Sequence, residues 1–140
     1  MTRRSSVVVD ASTVFATLLP EVSSAEAHAV LAGVTEVWAP DLLPYEIVSA
    51  LAARVRRGDI SPEEADLKRL EARSLPASLV PASDLDAQAL TLALRLGHSA
   101  YDCFYLALAL ECECPLVTCD QKLAAAAGEA GLGAYVRLLG

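Results

Sequence analysis

Four acidic residues stand out because of the apolar segments beside them. Asp10 directly follows the run Val7–Val9, and Asp120 follows the segment PLVTC. Glu46 and Asp102 lie within segments of helical pattern. Carboxylate oxygens are the ligands that Mg²⁺ and Mn²⁺ prefer, and such an ion can polarise a phosphodiester and activate a water molecule. The acids therefore suggest metal-dependent phosphoryl chemistry.

Each acid also has an ordinary structural explanation. Asp10 and Asp120 fit helix caps, which are worth about 1 kcal/mol each. Asp102 fits a capping box with Ser99, and Glu46 fits a rim residue that reaches solvent. For any single acid the structural explanation is the more common one. Together they favour a site, because clustered carboxylates repel one another and a divalent cation removes that conflict.

The elements that must position these acids follow from hydrophobic periodicity. Helical patterns cover 12–19, 25–31, 41–57, 62–73, 84–96, 100–111 and 120–128. Strand patterns cover 7–9, 36–39, 79–80, 115–119 and 135–139. This alternation predicts an α/β fold with a parallel sheet. Asp10 and Asp120 then share the edge at the carboxyl ends of the strands, where α/β proteins bind ligands.

Length and composition set broad limits. The 140 residues predict one domain, 1–140. A net charge of −7 argues against nucleic-acid binding unless a bound cation offsets several acids locally. The four cysteines are expected to be reduced thiols. Asp10 interrupts the apolar run after Arg3 and Arg4, which argues against an export signal, and no segment is long enough to span a membrane, so we expect a cytoplasmic protein.

Four segments in a fixed order carry a resemblance to a known family. These are VVVDAS, LLPYEIVSAL, SAYDCFYLALA, and LVTCD with Leu123. Their order resembles the four motifs of PIN-domain ribonucleases, and in particular the VapC-type toxins of toxin–antitoxin modules. The resemblance covers nearly the whole chain. It implies a three-layer α/β/α fold with a central, mostly parallel sheet, and cleavage of RNA by a Mg²⁺- or Mn²⁺-dependent endoribonuclease.

The resemblance also implies roles for individual residues. The catalytic and metal-binding acids would be Asp10, Glu46, Asp102 and Asp120. Ser12 and Thr118 match small hydroxyl positions beside the first and last acids, and would orient those acids or a water molecule. Water would attack phosphorus, and no side chain would act as a covalent nucleophile. The implied partners are an RNA substrate, a cognate antitoxin whose tail covers the cleft, and a second copy of the chain in a homodimer.

Three basic residues are candidates for contact with RNA. Lys122, two residues after Asp120, is a candidate phosphate contact. Arg54 and Arg57 are further candidates, although cations at a helix end also interact favourably with the helix dipole. The two histidines, His28 and His98, have no catalytic partner adjacent in sequence and are expected to be structural.

Two other classes of protein remain open at this stage. A phosphoacceptor signalling domain also gathers acids and Mg²⁺ at strand ends, but it needs an acceptor Asp after a central strand. Val80 is followed by Pro81 and Ala82, so the acceptor is missing where we expect it. The other alternative is a non-catalytic PIN-like binding module, against which the presence of all four acids argues.

Overall fold

A buried strand, β1 (Ser6–Val9), lies at the centre of the sheet, and its sequence explains this position. Its three valines are 5, 0 and 1 % exposed, so both faces of the strand are covered. Because β-branched residues suit an extended backbone and both faces are covered, this run forms a strand that is apolar on both faces. The computed structural model describes residues 5–140, so Arg3 and Arg4 lie outside the described residues.

Four further strands complete a five-stranded sheet in which all neighbours are parallel. They are β2 (Glu36–Pro40), β3 (Ala77–Val80), β4 (Leu116–Thr118) and β5 (Val136–Leu138). The order across the sheet is β3-β2-β1-β4-β5. Val8 is in register with Trp38 of β2 on one side and with Leu116 of β4 on the other.

Helices cover both faces of the sheet. They are α1 (Ala11–Leu18), α2 (Ser24–Ala32), α3 (Leu43–Arg56), α4 (Pro62–Arg73), α5 (Asp86–Leu96), α6 (Ala100–Cys112) and α7 (Gln121–Glu129). Helices α1 to α4 pack on one another, whereas α5 packs on α6, and α6 contacts β1, β2 and β4. Helix α7 packs against β5 and the 3-10 turn Gly133–Tyr135, which also contacts α6.

The path of the chain creates a crevice next to β1. From β1 the chain moves outward through β2 to β3, and it then crosses back to place β4 on the other side of β1. Ligands in open α/β sheets bind at such a switch point, outside the carboxyl ends of the strands. Asp10 follows β1 directly and Asp120 lies two residues after β4, so the fold brings both acids to this crevice.

The predicted alternation of helices and strands is confirmed, with ends shifted by a few residues. One difference lies at Asp84, which belongs to a 3-10 turn, Ala82–Leu85, that precedes α5 instead of to the helix itself. Gly97 ends α5 as predicted and has a left-handed backbone, with φ of 62°. Within residues 5–140, no helix has both the length and the apolar character needed to cross a bilayer.

Candidate active site

Asp10 is both a helix cap and a buried acid. Its Oδ1 accepts hydrogen bonds from Thr13 N, at 3.1 Å, and from Ser12 Oγ, at 2.6 Å. Its Oδ2 accepts one from the Thr118 hydroxyl. The residue is only 8 % exposed. The predicted cap is therefore present, but capping alone does not explain why β4 supplies a third donor to the same carboxylate.

Asp120 repeats this arrangement at the start of α7. Its Oδ1 accepts hydrogen bonds from Lys122 N, at 2.9 Å, and Leu123 N, at 3.1 Å. The backbone N–H of Asp120 donates to Thr118 Oγ1 at 3.1 Å. The Thr118 hydroxyl thus bonds to the first acid and to the backbone of the last, so it holds the two helix starts together.

Ser12 makes a second bridge between the same two strand ends. Its Oγ donates to Asp10 and accepts a hydrogen bond from Cys119 N, at 3.0 Å, while Thr118 Oγ1 lies 3.5 Å away. Because this hydroxyl is already committed to these partners, its rotation is restricted. The structure therefore brings Ser12 and Thr118, as well as Asp10 and Asp120, into one hydrogen-bonded group.

Asp102 lies in the first turn of α6, on the other side of the crevice. Its Oδ2 is 2.8 Å from Nε2 of His98. Ser99 is the residue that caps α6, but its side chain makes no cap hydrogen bond, so the predicted capping box is wrong. His98 has no catalytic partner adjacent in sequence, but folding brings its ring within hydrogen-bonding distance of Asp102.

Glu46 projects from the first turn of α3 beside Tyr105 of α6. Burial raises the pKa of Glu46, and the nearby charges of Asp102 and Asp10 raise it further, whereas Tyr105 lowers it. The Tyr105 hydroxyl is buried and has no hydrogen-bond partner within residues 5–140. It therefore neighbours Glu46 without forming a well-aligned hydrogen bond. Burial, together with Glu46, raises the pKa of Tyr105, so the phenol stays protonated.

Electrostatic interactions connect Asp10, Glu46 and Asp102, and Asp120 lies close to Asp102. Burial is the main reason why the pKa of Asp10 is raised, and the charge of Asp102 adds to the effect, although hydrogen bonds from Ser12, Thr118 and Thr13 oppose it. The charge of Asp102 raises the pKa of Glu46 as well as that of Asp10, and Asp102 is also close to Asp120. Within residues 5–140, no lysine or arginine forms an ion pair with any of the four.

This donor set fits a divalent cation. One ligand atom each from His98, Asp102 and Asp120 lie within 4.8 Å of one another. Uncompensated carboxylates and a buried, unpaired tyrosine hydroxyl are unfavourable in a folded protein unless something else satisfies them. A divalent ion would satisfy the carboxylates with the oxygen ligands it prefers. No cysteine belongs to the metal-capable group found in the described part of the chain.

A groove of about 530 Å³ adjoins the site through neighbours of the acids, although none of the four acids lines it. Ser12 and Cys119 lie at its active-site end, and Arg54 and Arg57 line it further away. Arg54 forms an ion pair with Glu21, and its guanidinium lies 5.0 Å from the centre of the Phe15 ring. Arg57 is more exposed and pairs with Asp59 at 3.3 Å. Lys122 has an exposed side chain next to Asp120.

A second cavity, of about 330 Å³, lies between α3, α4 and β3. Its lining is mainly apolar and includes Leu43, Ile47, Leu75 and Leu79. None of the four acids lines it. It is therefore a candidate surface for a partner, separate from the place where the acids converge.

Comparison with known proteins assigns the chain to a family. The family model for the PIN domain matches residues 7–129, so the chain belongs to the PIN domain family. Ribonuclease VapC3 from Pyrobaculum aerophilum is 32 % identical over 120 residues, which are 84 % of this chain and 92 % of that protein. The match confirms the resemblance seen in the sequence.

Solved structures confirm the fold. The crystal structure of PAE2754 from Pyrobaculum aerophilum matches with a TM-score of 0.69 and 24 % identity, over 87 % of this chain and 79 % of that one. The Mycobacterium tuberculosis toxin VapC20, which cleaves the sarcin-ricin loop, matches with a TM-score of 0.65 and 18 % identity, over 86 % and 94 % of the two chains. The three-layer, parallel α/β/α architecture is therefore that of PIN-domain structures.

The strand order also argues against the phosphoacceptor alternative. Flavodoxin-like signalling domains have the order 2-1-3-4-5, in which the first strand lies beside the third. Here β1 lies between β2 and β4, and β3 is at the edge. The residues after β3 are Pro81 and Ala82, so no aspartate directly follows this strand.

Proposed function

We propose that this protein is a divalent-cation-dependent endoribonuclease that acts as the toxin of a toxin–antitoxin module. The observation that carries the proposal is the meeting of Asp10, Glu46, Asp102 and Asp120 at the switch point of the sheet, without a lysine or arginine counter-charge in the described residues. Membership of the PIN domain family and the likeness to Ribonuclease VapC3 support the same activity.

In this proposal the four acids hold Mg²⁺ or Mn²⁺. When bound, the ion supplies Lewis acidity towards a phosphodiester oxygen and towards water. Ser12 and Thr118 fix both oxygens of Asp10, so this carboxylate cannot rotate away from the crevice. Glu46 is half-buried and lies beside the buried Tyr105. All these groups act by binding and orientation, and none of them acts as a covalent nucleophile in this proposal.

The RNA strand would run along the groove beside Ser12. Arg57 and Lys122 offer exposed cations for phosphates, whereas Arg54 is already engaged with Glu21. These cations, together with the bound metal ion, would offset the net charge of −7 near the substrate. Such an arrangement would favour contacts with the RNA phosphate backbone close to the acids, while the rest of the acidic protein surface repels RNA.

The proposal includes two protein partners. A cognate antitoxin would cover the cleft with its tail, and the cavity between α3 and α4 offers apolar surface for the same partner. A second copy of the chain would bury exposed apolar residues of α5, among them Leu90 and Leu94. We also propose that the chain is a single domain and acts in the cytoplasm, where its RNA substrate is found.

The test compares matched carboxylate-to-amide variants. Asp10→Asn and Asp102→Asn each remove a proposed ligand, whereas Asp86→Asn changes an exposed aspartate of α5. We expect the first two to lower RNA cleavage by about 100-fold or more and to abolish growth inhibition, and the third to match wild type. Circular dichroism would establish that all variants fold. Equal cleavage by wild type and both site variants would refute the nuclease, and a melting temperature indifferent to Mg²⁺ and Mn²⁺ would favour a non-catalytic module.

A further inference from the structure

His98 is held at one end of the acid cluster by the local backbone. Gly97 has a left-handed backbone, and the N–H of His98 then donates to Ala93 O at 3.3 Å, which ties the residue to the end of α5. The side chain of His98 is 15 % exposed. Its Nε2 lies 2.8 Å from Asp102 Oδ2, so the ring is directed towards the acids rather than towards solvent.

Asp102 and Asp120 complete a three-residue group with this imidazole. One ligand atom from each residue lies within 4.8 Å of the other two. Neighbouring ligands of a six-coordinate ion are roughly 3 Å apart and opposite ones roughly 4 Å apart, because metal–ligand bonds are about 2.0–2.2 Å long. The spacing of these three atoms therefore allows a single ion to bind all of them after small side-chain movements.

We propose that His98, Asp102 and Asp120 form a mixed nitrogen–oxygen subsite that selects a transition-metal ion such as Mn²⁺ or Co²⁺ over Mg²⁺. The inference rests on the proposed function and specifies which ion the nuclease site takes. Mg²⁺ favours an all-oxygen, largely hydrated environment, whereas first-row transition metals bind imidazole readily. An imidazole ligand therefore adds affinity for Mn²⁺ or Co²⁺ and adds little for Mg²⁺.

A second observation in the same site supports a ligand there. Tyr105 is 1 % exposed, and its hydroxyl has no well-aligned hydrogen-bond partner in the described part of the chain. It lies near Glu46, and the charges of Asp10 and Asp102 act on it. A buried phenol is normally hydrogen-bonded, so this hydroxyl is available to a ligand bound beside Glu46.

The competing explanation is that His98 only orients Asp102 by hydrogen bonding. In that case loss of the imidazole would weaken the binding of Mg²⁺ and Mn²⁺ alike, because both ions need Asp102. A ligand role predicts a different pattern, in which Mn²⁺ binding suffers and Mg²⁺ binding does not. A ligand role also predicts a bond between the ion and a nitrogen atom, which a positioning role does not.

The experiment uses the full chain, freed of metal by chelation and dialysis. Mn²⁺ binding is followed by the electron paramagnetic resonance signal of the free ion, and Mg²⁺ binding by calorimetry. Pulsed resonance spectra of bound Mn²⁺ detect a ligating nitrogen directly. The variants are His98→Gln and, as the matched control, His28→Gln, since the chain has only two histidines and His28 is exposed on α2.

We expect nitrogen coupling in wild type and His28→Gln and none in His98→Gln. The Mn²⁺ dissociation constant should rise about tenfold or more in His98→Gln, while the Mg²⁺ constant changes less than about threefold. Absence of nitrogen coupling in wild type overturns the inference without reference to any variant, and so does an equal loss of both ions in a folded His98→Gln. Nitrogen ligation without RNA cleavage would support the subsite and refute the proposed nuclease, so the two failures are distinguishable.

Discussion

The Thr118 hydroxyl donates a hydrogen bond to Oδ2 of Asp10, and it joins residues 108 positions apart in the sequence. Thr118 is the last residue of β4 and Asp10 follows β1, so this bond spans the crevice between two neighbouring strands. The Thr118 hydroxyl oxygen also accepts a hydrogen bond from the backbone N–H of Asp120. One buried hydroxyl therefore fixes the relative position of the first and last acids of the site.

Replacing Thr118 by valine should damage both stability and activity. The substitution keeps the shape of the side chain and removes the hydroxyl, which leaves a buried oxygen of Asp10 without this donor. We expect the free energy of unfolding to fall by about 1–3 kcal/mol, measured by urea denaturation. RNA cleavage should fall by about tenfold or more, because Asp10 is then free to rotate.

Thr118→Ser is the control for this prediction. It retains the hydroxyl, so cleavage should stay within about threefold of wild type even if the lost methyl group lowers stability. If Thr118→Ser loses as much stability and activity as Thr118→Val, retaining the hydroxyl does not preserve the site, and the hydroxyl does not position Asp10.

The metal-free protein should become less stable as the pH rises from mildly acidic to neutral. The pKa values of Asp10 and Glu46 are both raised in the folded chain, mainly by burial. Between the ordinary carboxyl range, about pH 4, and those raised values, the folded state binds more protons than the unfolded state. The free energy of unfolding therefore falls through this window, and the loss is complete above it.

Melting temperatures of wild type and Asp10→Asn in chelator isolate this effect. Asparagine can still cap α1, but it carries no charge. At neutral pH we expect metal-free Asp10→Asn to melt about 2–5 °C above wild type, with a smaller difference at pH 5. Mn²⁺ should raise the melting temperature of wild type and have less effect on the variant. A variant that melts below wild type at neutral pH would contradict an unfavourable charge at Asp10.

Features that depend on residues close together in the chain could be predicted from the sequence. The buried valines before Asp10 and the apolar strand before Asp120 fix where these acids leave the sheet, since the carboxyl ends of parallel strands share one edge. The capping roles of both acids could also be predicted, because each aspartate lies between a strand pattern and a helix pattern. The position of Glu46 on α3 followed from the helical pattern, although the pattern alone could not give its distance from the other acids.

Contacts that arise from tertiary packing could not be predicted from the sequence. The approach of His98 to Asp102 depends on the left-handed turn at Gly97, although the spacing of four residues between the two was a usable signal. The neighbourhood of Tyr105 and Glu46 depends on how α3 and α6 pack. The ion pair of Arg54 with Glu21 joins residues 33 positions apart, and no local pattern indicates it.

Arg57→Ala should weaken RNA binding without affecting the fold. Arg57 lines the groove beside the acids and is largely exposed, whereas the neighbouring Arg56 does not line it. In an Asp10→Asn background, which we expect to suppress cleavage, fluorescence anisotropy should show weaker binding of single-stranded RNA by Arg57→Ala. The slope of log affinity against log salt should fall by about 0.7–1, since one phosphate contact is lost. An equal change in Arg56→Ala would show that general charge, not the groove, determines binding.

A homodimer should form through α5. Leu90 and Leu94 are 59 % and 76 % exposed and lie one turn apart on this helix, so their side chains form one apolar strip. Burial of that strip between two copies would be disrupted by a charge, so Leu94→Asp should convert the dimer to a monomer in analytical ultracentrifugation. Val22→Asp is the matched control, because Val22 is 93 % exposed and lies outside α5. A wild-type monomer at micromolar concentration, or dissociation by Val22→Asp alone, would exclude α5 as the interface.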